Sequence, residues 1–152
     1  MKLSKRKFNK ILSFSALLLL FPIKSLLAGT KKIINPNLSK EQKNIMFNEG
    51  TERPFTSELL KEKRKGFYHC ANCGNKLFAS STKFDSGTGW PSFSEALPGA
   101  FKTKIDYSFG MERVEYHCAK CGAHHGHVFN DGPKESGKRF CNNGLCLIFK
   151  PE

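Results

Sequence analysis

The chain has 152 residues, room for one domain around a single core. Its 25 Lys and Arg against 13 Asp and Glu give a formal charge of +12. Six of those cations, Lys2, Lys5, Arg6, Lys7, Lys10 and Lys24, lie in the first 28 residues, which hold no acid, so about +6 is left on the remainder. That remainder has no dense Lys/Arg stripe with interleaved aromatics, so the composition gives no support to a nucleic-acid binder.

Residues 1–10 are basic, Ile11 to Ile23 is an apolar run, and small residues Ala28 and Gly29 follow. Basic, then apolar, then small is the layout of a secretory signal peptide, expected here over residues 1–28 with cleavage after Ala28. The apolar run is shorter than the roughly 20 residues of a membrane-crossing helix. Export to the periplasm is therefore the expectation, and an uncleaved leader acting as membrane anchor is the alternative. Ser4-Lys5-Arg6-Lys7-Phe8 resembles a twin-arginine export signal with one Arg replaced by Lys.

Residues 29–38 read as a flexible lead-in to a domain over 39–152. Ser39 with Gln42 fits a capping box, Ile45, Met46 and Phe47 give part of an apolar face, and Gly50 is placed to end that helix. A second short helix is expected near Ser57, with Leu59 and Leu60 inward. After Gly66, short aromatic-rich runs alternate with Gly, Asp, Asn and Pro clusters, which predicts a mainly β body of many short strands.

One repeat stands out. Tyr68-His69-Cys70-Ala71-Asn72-Cys73-Gly74 returns as Tyr116-His117-Cys118-Ala119-Lys120-Cys121-Gly122. Cys70, Cys73, Cys118 and Cys121 form two CxxC pairs, and four thiolates suit a closed, structural, tetrahedral zinc site. The pairs stand 44 residues apart, so the metal is expected to clip two ends of a larger β body. Disulfides are the competing reading for an exported chain, and iron the lesser one. His69 and His117 adjoin the cysteines but are not needed as ligands.

Cys141 and Cys146 remain. Arg139 lies two residues before Cys141, on the same face if the segment is a strand, and a neighbouring cation favours a thiolate. His124 and His127 lie three apart within Ala123-His124-His125-Gly126-His127-Val128-Phe129. Thiol, cation and imidazoles together fit a nucleophile site. The residues alone leave open that Cys141 is a small buried side chain and the histidines a surface loop.

The chain resembles the peptide methionine (R)-S-oxide reductase family, type B, from about Ser39 to Pro151. The resemblance is carried by Gly50-Thr51-Glu52-Arg53-Pro54-Phe55, by Lys83 to Phe93 (KFDSGTGWPSF), by the CxxC pairs, by His124 to Phe129, and by Arg139-Phe140-Cys141-Asn142-Asn143. It implies two antiparallel sheets forming an open barrel, with short helices before them, and a structural zinc. It implies Cys141 as nucleophile, with Arg139 favouring its thiolate. His124, His127 and Asn143 would hold and protonate the sulfoxide oxygen, Trp90 would wall an apolar pocket for the substrate methyl, and Phe129 and Phe93 would line or support it. The substrate would be oxidised methionine in proteins or peptides, acted on by a monomer.

Where many relatives carry a resolving cysteine, this chain has Thr88. A sulfenic acid on Cys141 would then be reduced by an external thiol, by a thioredoxin-like partner, or by Cys146. Asn143-Gly144 is a two-residue hairpin signal that would set Cys141 opposite Cys146, about 4.5–5.5 Å apart at Cα and within disulfide reach. The alternatives to an enzyme are a non-catalytic zinc-binding module that recognises peptides, a disulfide scaffold and a zinc-ribbon nucleic-acid binder.

Overall fold

The computed structural model describes residues 31–152. The leader expected over 1–28 lies outside the described residues. Among the described residues, no helix is long and apolar enough to cross a membrane.

Helix α1 spans Lys40–Asn48 and starts in the expected capping box, with Ser39 Oγ accepting from Gln42 N–H and Gln42 Oε1 from Ser39 N–H. Such a cap contributes about 0.5–2 kcal/mol. Ile45 and Met46 are the buried face. The helix stops one residue earlier than expected: Glu49, not Gly50, takes the left-handed conformation at φ 58. Gly50 is needed for room, since a Cβ there would meet Asn44 Nδ2 at 2.7 Å. The second helix is a single 3-10 turn, Glu58–Leu60, capped by Ser57. Residues before α1 are tied down: Asn72 Oδ1 accepts from the Ile34 and Asn35 N–H groups, and Asn72 Nδ2 donates to Lys32 O.

Nine strands follow: β1 (Gly66–Cys70), β2 (Lys76–Ala79), β3 (Lys83–Phe84), β4 (Ser92–Phe93), β5 (Phe101–Asp106), β6 (Arg113–Cys118), β7 (His124–Phe129), β8 (Arg139–Asn142) and β9 (Leu147–Pro151). They form two antiparallel sheets, one ordered β2-β1-β9 and the other β3-β4-β8-β7-β6-β5. The mainly β body of two sheets is as expected, without closure into a barrel. Cys70 ends β1 in the small sheet and Cys118 ends β6 in the large one, so the two CxxC pairs belong to different sheets.

Large aromatic side chains fill the core. Phe78 and Phe93 stack at 4.0 Å between centroids, Tyr68 meets Phe93 edge-on at 4.9 Å, and Phe101 and Phe140 pack on Tyr116. Phe93, on β4, is thereby fixed as support behind the strand that neighbours Cys141. Truncating Phe78 to Ala removes the ring that Phe93, Phe101, Tyr116 and Phe140 all pack against. Urea unfolding of the metal-loaded protein is expected to show a loss of about 3–5 kcal/mol. A loss below about 1 kcal/mol would contradict the central place given to this ring.

Candidate active site and metal centre

The four knuckle cysteines converge. Their sulfurs all lie within 4.8 Å of one another, with Cys70 and Cys121 at 3.8 Å and Cys73 and Cys118 at 3.5 Å. A tetrahedral ion bonded at about 2.3 Å sets its sulfurs about 3.8 Å apart, so the cluster fits one such ion. Gly74 and Gly122, both left-handed at φ 70 and 71, let each knuckle curl so that the glycine N–H donates to the carbonyl of the first cysteine. All six cysteines are free thiols, so the disulfide reading is not what the chain adopts. Hydrogen bonds from Cys121 and Cys70 hold Cys118 low, while the hydrogen bond to Cys118 pushes Cys70 up.

The second constellation is built by strand register. Across β4, β8, β7, β6 and β5, the residues Ser92, Cys141, His127, Glu115 and Lys104 stand directly opposite one another in one row. Period-two alternation keeps Arg139 on the face of Cys141 and sends Phe140 and Asn142 to the core, where Asn142 Oδ1 accepts from Tyr116 OH at 2.9 Å. In the next row, Arg139 stands opposite Phe129 with its guanidinium 4.5 Å over that ring.

His124 reaches this face through an irregularity. Tyr116 pairs with Gly126 but His117 pairs with His124, so His125 is an extra residue in β7. A bulge of this kind re-aims side chains. His125 enters the core against Phe101, where burial pulls its pKa down to about 4. His124 comes instead to His127, with ring centroids 5.6 Å apart. Gly126, beside the bulge, has no space for a side chain: a Cβ would sit 1.9 Å from the Cys141 carbonyl oxygen.

Together these residues line a cavity of about 130 Å³, bounded by Thr51, Trp90, Arg113, His124, Gly126, His127, Phe129, Cys141, Asn142 and Asn143. Trp90 is fixed by its indole N–H, which donates to Glu52 O at 2.9 Å. Of the expected catalytic and substrate-binding residues, Phe93 and Arg139 lie off the wall, Phe93 in the core and Arg139 beside Cys141.

Each pocket imidazole is backed by a carboxylate. His124 Nδ1–H donates to Glu115 Oε1 and His127 Nε2–H to Asp106 Oδ2, both at 2.8 Å. Arg113 holds Asp106 at 2.6 Å. Burial lowers the pKa of His127, against the opposing hydrogen bond of Asp106. Asp131 grips Arg139 through two hydrogen bonds of 2.9 Å. Sequence reasoning missed Glu115, Asp106 and Glu52, since only the strand register and the fold bring them to the histidines and Trp90.

Two expectations about the chain after Cys141 change. Asn143 is committed to the scaffold: its Oδ1 accepts from Glu52 N–H at 2.9 Å and its Nδ2 donates to His125 O at 3.0 Å. The Asn143-Gly144 hairpin does not form. Gly144–Cys146 is a 3-10 turn, and β9 pairs with β1 in the other sheet. Gly144 is pressed against Ser57 and receives the buried Glu52 carboxylate on its N–H. Cys146 is fully buried with its thiol on His124 O at 3.6 Å, so the register that was to set it opposite Cys141 is absent.

Residues 38–151 match the SelR domain family model. The chain belongs to the SelR domain family. Curated relatives bear the name peptide methionine sulfoxide reductase MsrB. That of Methanosarcina barkeri is 49% identical over 123 residues, covering 80% of this chain and 84% of the relative. That of Variovorax paradoxus is 59% identical over 101 residues, covering 66% and 74%. That of Agrobacterium fabrum is 50% identical over 115 residues, covering 75% and 85%.

Cys141 is under opposed influences. Burial pushes its thiol above the ordinary value of 9.0, while the Arg139 charge and hydrogen bonds from Arg139 and Thr88 pull it down without prevailing. The thiolate fraction of the resting protein therefore grows as pH rises past 9.0. Alkylation of Cys141 by iodoacetamide, followed by mass spectrometry of its peptide, is expected to accelerate through that value without levelling off below it. Arg139→Met removes a lowering influence and should move the rise to still higher pH. A plateau already reached near neutrality would contradict this balance.

Proposed function

We propose that the chain reduces methionine-R-sulfoxide in proteins and peptides to methionine, with Cys141 as the attacking thiolate. The observation that carries the proposal is the shared cavity: Cys141 directly opposite His127, with His124 and Trp90 lining the same space. In the reaction, the Cys141 sulfur attacks the sulfoxide sulfur and the sulfoxide oxygen takes a proton from an imidazole. The sulfur–oxygen bond breaks as the protonated oxygen leaves as hydroxide, and hydroxide or water then adds to the Cys141 sulfur and breaks its bond to the methionine sulfur, which leaves a sulfenic acid on Cys141 and methionine reduced by two electrons. Imidazole is the donor suited to neutral pH.

The indole of Trp90 and the ring of Phe129 receive the methyl group, and the two imidazoles receive the oxygen. With methyl and oxygen assigned to different walls, only one epimer presents its sulfur to Cys141. Arg139 acts on the Cys141 thiolate, and Asp131 and Phe129 hold Arg139 in place. Asn143 positions the Glu52 segment that anchors Trp90, and it lines the cavity with a second N–H of its amide still to give.

Thr88 hydrogen-bonds Cys141 from the position where a resolving thiol would serve. We infer that recycling comes from outside: one external thiol displaces water from the sulfenic acid to give a mixed disulfide, and a second thiol, as from a thioredoxin-like partner, frees Cys141. Cys70, Cys73, Cys118 and Cys121 would hold one zinc, which when bound ties the two sheets together and takes no part in the chemistry. The order of basic, apolar and small residues over 1–28 supports export to the periplasm.

One turnover without reductant, followed by a sulfenic-acid trap, is expected to label Cys141 alone, in wild type and in Cys146→Ser equally, and both should turn over with a dithiol. Finding an intramolecular Cys141–Cys146 disulfide in place of the trapped adduct would contradict external recycling. Finding no adduct on Cys141 would contradict the nucleophile.

A further inference from the structure

The large sheet carries a line of charge, exposed at its outer end and buried at Glu115, that ends on one of the two pocket imidazoles. Glu115, only 2% exposed, spends one carboxylate oxygen on His124 Nδ1–H at 2.8 Å and the other on Lys104 Nζ at 3.0 Å. Lys104 also reaches Glu49 Oε1 at 2.6 Å, and Lys31 holds the same oxygen at 2.9 Å. Lys104 stands opposite Glu115 in the β5–β6 register, and Glu49 is the left-handed cap of α1. The run from α1 to the cavity is thus Glu49, Lys104, Glu115, His124, alternating in sign down to the imidazole.

We propose that Glu115 is a positioning residue for the reductase reaction: its carboxylate takes the Nδ1–H of His124 and fixes the ring, so that Nε2 is the nitrogen turned to the sulfoxide oxygen, and the proton Nε2 passes on is the one it carries when the ring is doubly protonated.

Three features carry this assignment. A carboxylate only accepts, so the Nδ1 facing Glu115 must carry hydrogen. The bulge at His125 has brought His124 to this face, where its ring meets His127 at 5.6 Å between centroids and its Nδ1 meets Glu115. The two pocket histidines are also wired oppositely: His127 is bound through Nε2 to Asp106, which leaves Nδ1, so they offer the cavity different nitrogens. Burial works against charge on Glu115, but the hydrogen bonds from His124 and Lys104 hold its carboxyl below the usual carboxylate value. It is therefore an anion throughout the neutral range. The other titratable or charged groups near His124 are His117 across β6, His127 on β7, Arg113 on β6 and Cys141 on β8.

Glu115→Gln puts an amide against Nδ1 that can donate as well as accept, so it no longer dictates which ring nitrogen carries hydrogen, and Glu115→Ala removes the partner altogether. The proposal rests on the reductase reading for its kinetic arm and not for its spectroscopic one. With the full metal-loaded domain, kcat for methionine-R-sulfoxide peptide should fall about tenfold or more in Glu115→Gln, within the span ascribed to a placed acid, with KM within about twofold. Long-range 15N spectra of His124 should show the Nδ1–H form in wild type and a mixture of tautomers in Glu115→Ala.

An unchanged kcat in Glu115→Gln, or an unchanged tautomer in Glu115→Ala, would overturn the positioning role. Glu115→Gln keeps the size of the side chain, so it keeps the test open where Glu115→Ala fails to fold. If wild type lacks turnover while the tautomer responds as stated, it is the reductase reading that fails and the wiring of His124 that stands.

Discussion

The pairing of β7 with β8 sets everything else in the cavity. It puts His127 opposite Cys141 and Phe129 opposite Arg139, and both pairs share one face of the large sheet. The approach of the two strands at Gly126 leaves no space for even a methyl group against the Cys141 carbonyl. The thiol and its imidazole are thus set by backbone hydrogen bonds, on sheet elements and not on a mobile loop. A site whose acid and nucleophile must meet one sulfoxide sulfur benefits from that rigidity, since misplacement by even about 1 Å is costly to a positioned reaction.

Around that pair, the polar groups are arranged in depth. His124, His127 and Arg139 each lean on a carboxylate, from Glu115, Asp106 and Asp131 respectively. Asn143 and Glu52 cross-tie the loop that carries the indole anchor to the segment after Cys141. The four-cysteine cluster lies at the ends of β1 and β6, which belong to different sheets, and none of its members lines the cavity. The cysteines thus fall into separate sets, four in that cluster and Cys141 on the cavity wall.

Much of this was legible in the residues where local rules act alone. The capping box at Ser39 needs only residues three apart, the repeated knuckle declares its own ligands, and alternation along β8 puts Arg139 beside Cys141. What failed to read were features settled by tertiary contact. Asn143-Gly144 has hairpin chemistry, yet the Asn143 amide is claimed by Glu52 and His125 and Gly144 is packed under Ser57, so the chain turns off toward β1. The bulge in β7 exchanges the places of two adjacent histidines, and no pattern within His124-His125-Gly126-His127 says which one will face the core. Glu115 and Asp106 were overlooked for the same reason, because a carboxylate on a neighbouring strand acquires meaning only once the register is known.

The account stands most directly on whether this one face handles a sulfoxide with a single handedness. Purified protein given separated R and S epimers of a methionine sulfoxide peptide, with a dithiol as reductant, should consume the R epimer and leave the S epimer untouched, and Cys141→Ser should consume neither. Comparable consumption of both epimers, or an active Cys141→Ser protein, would contradict it.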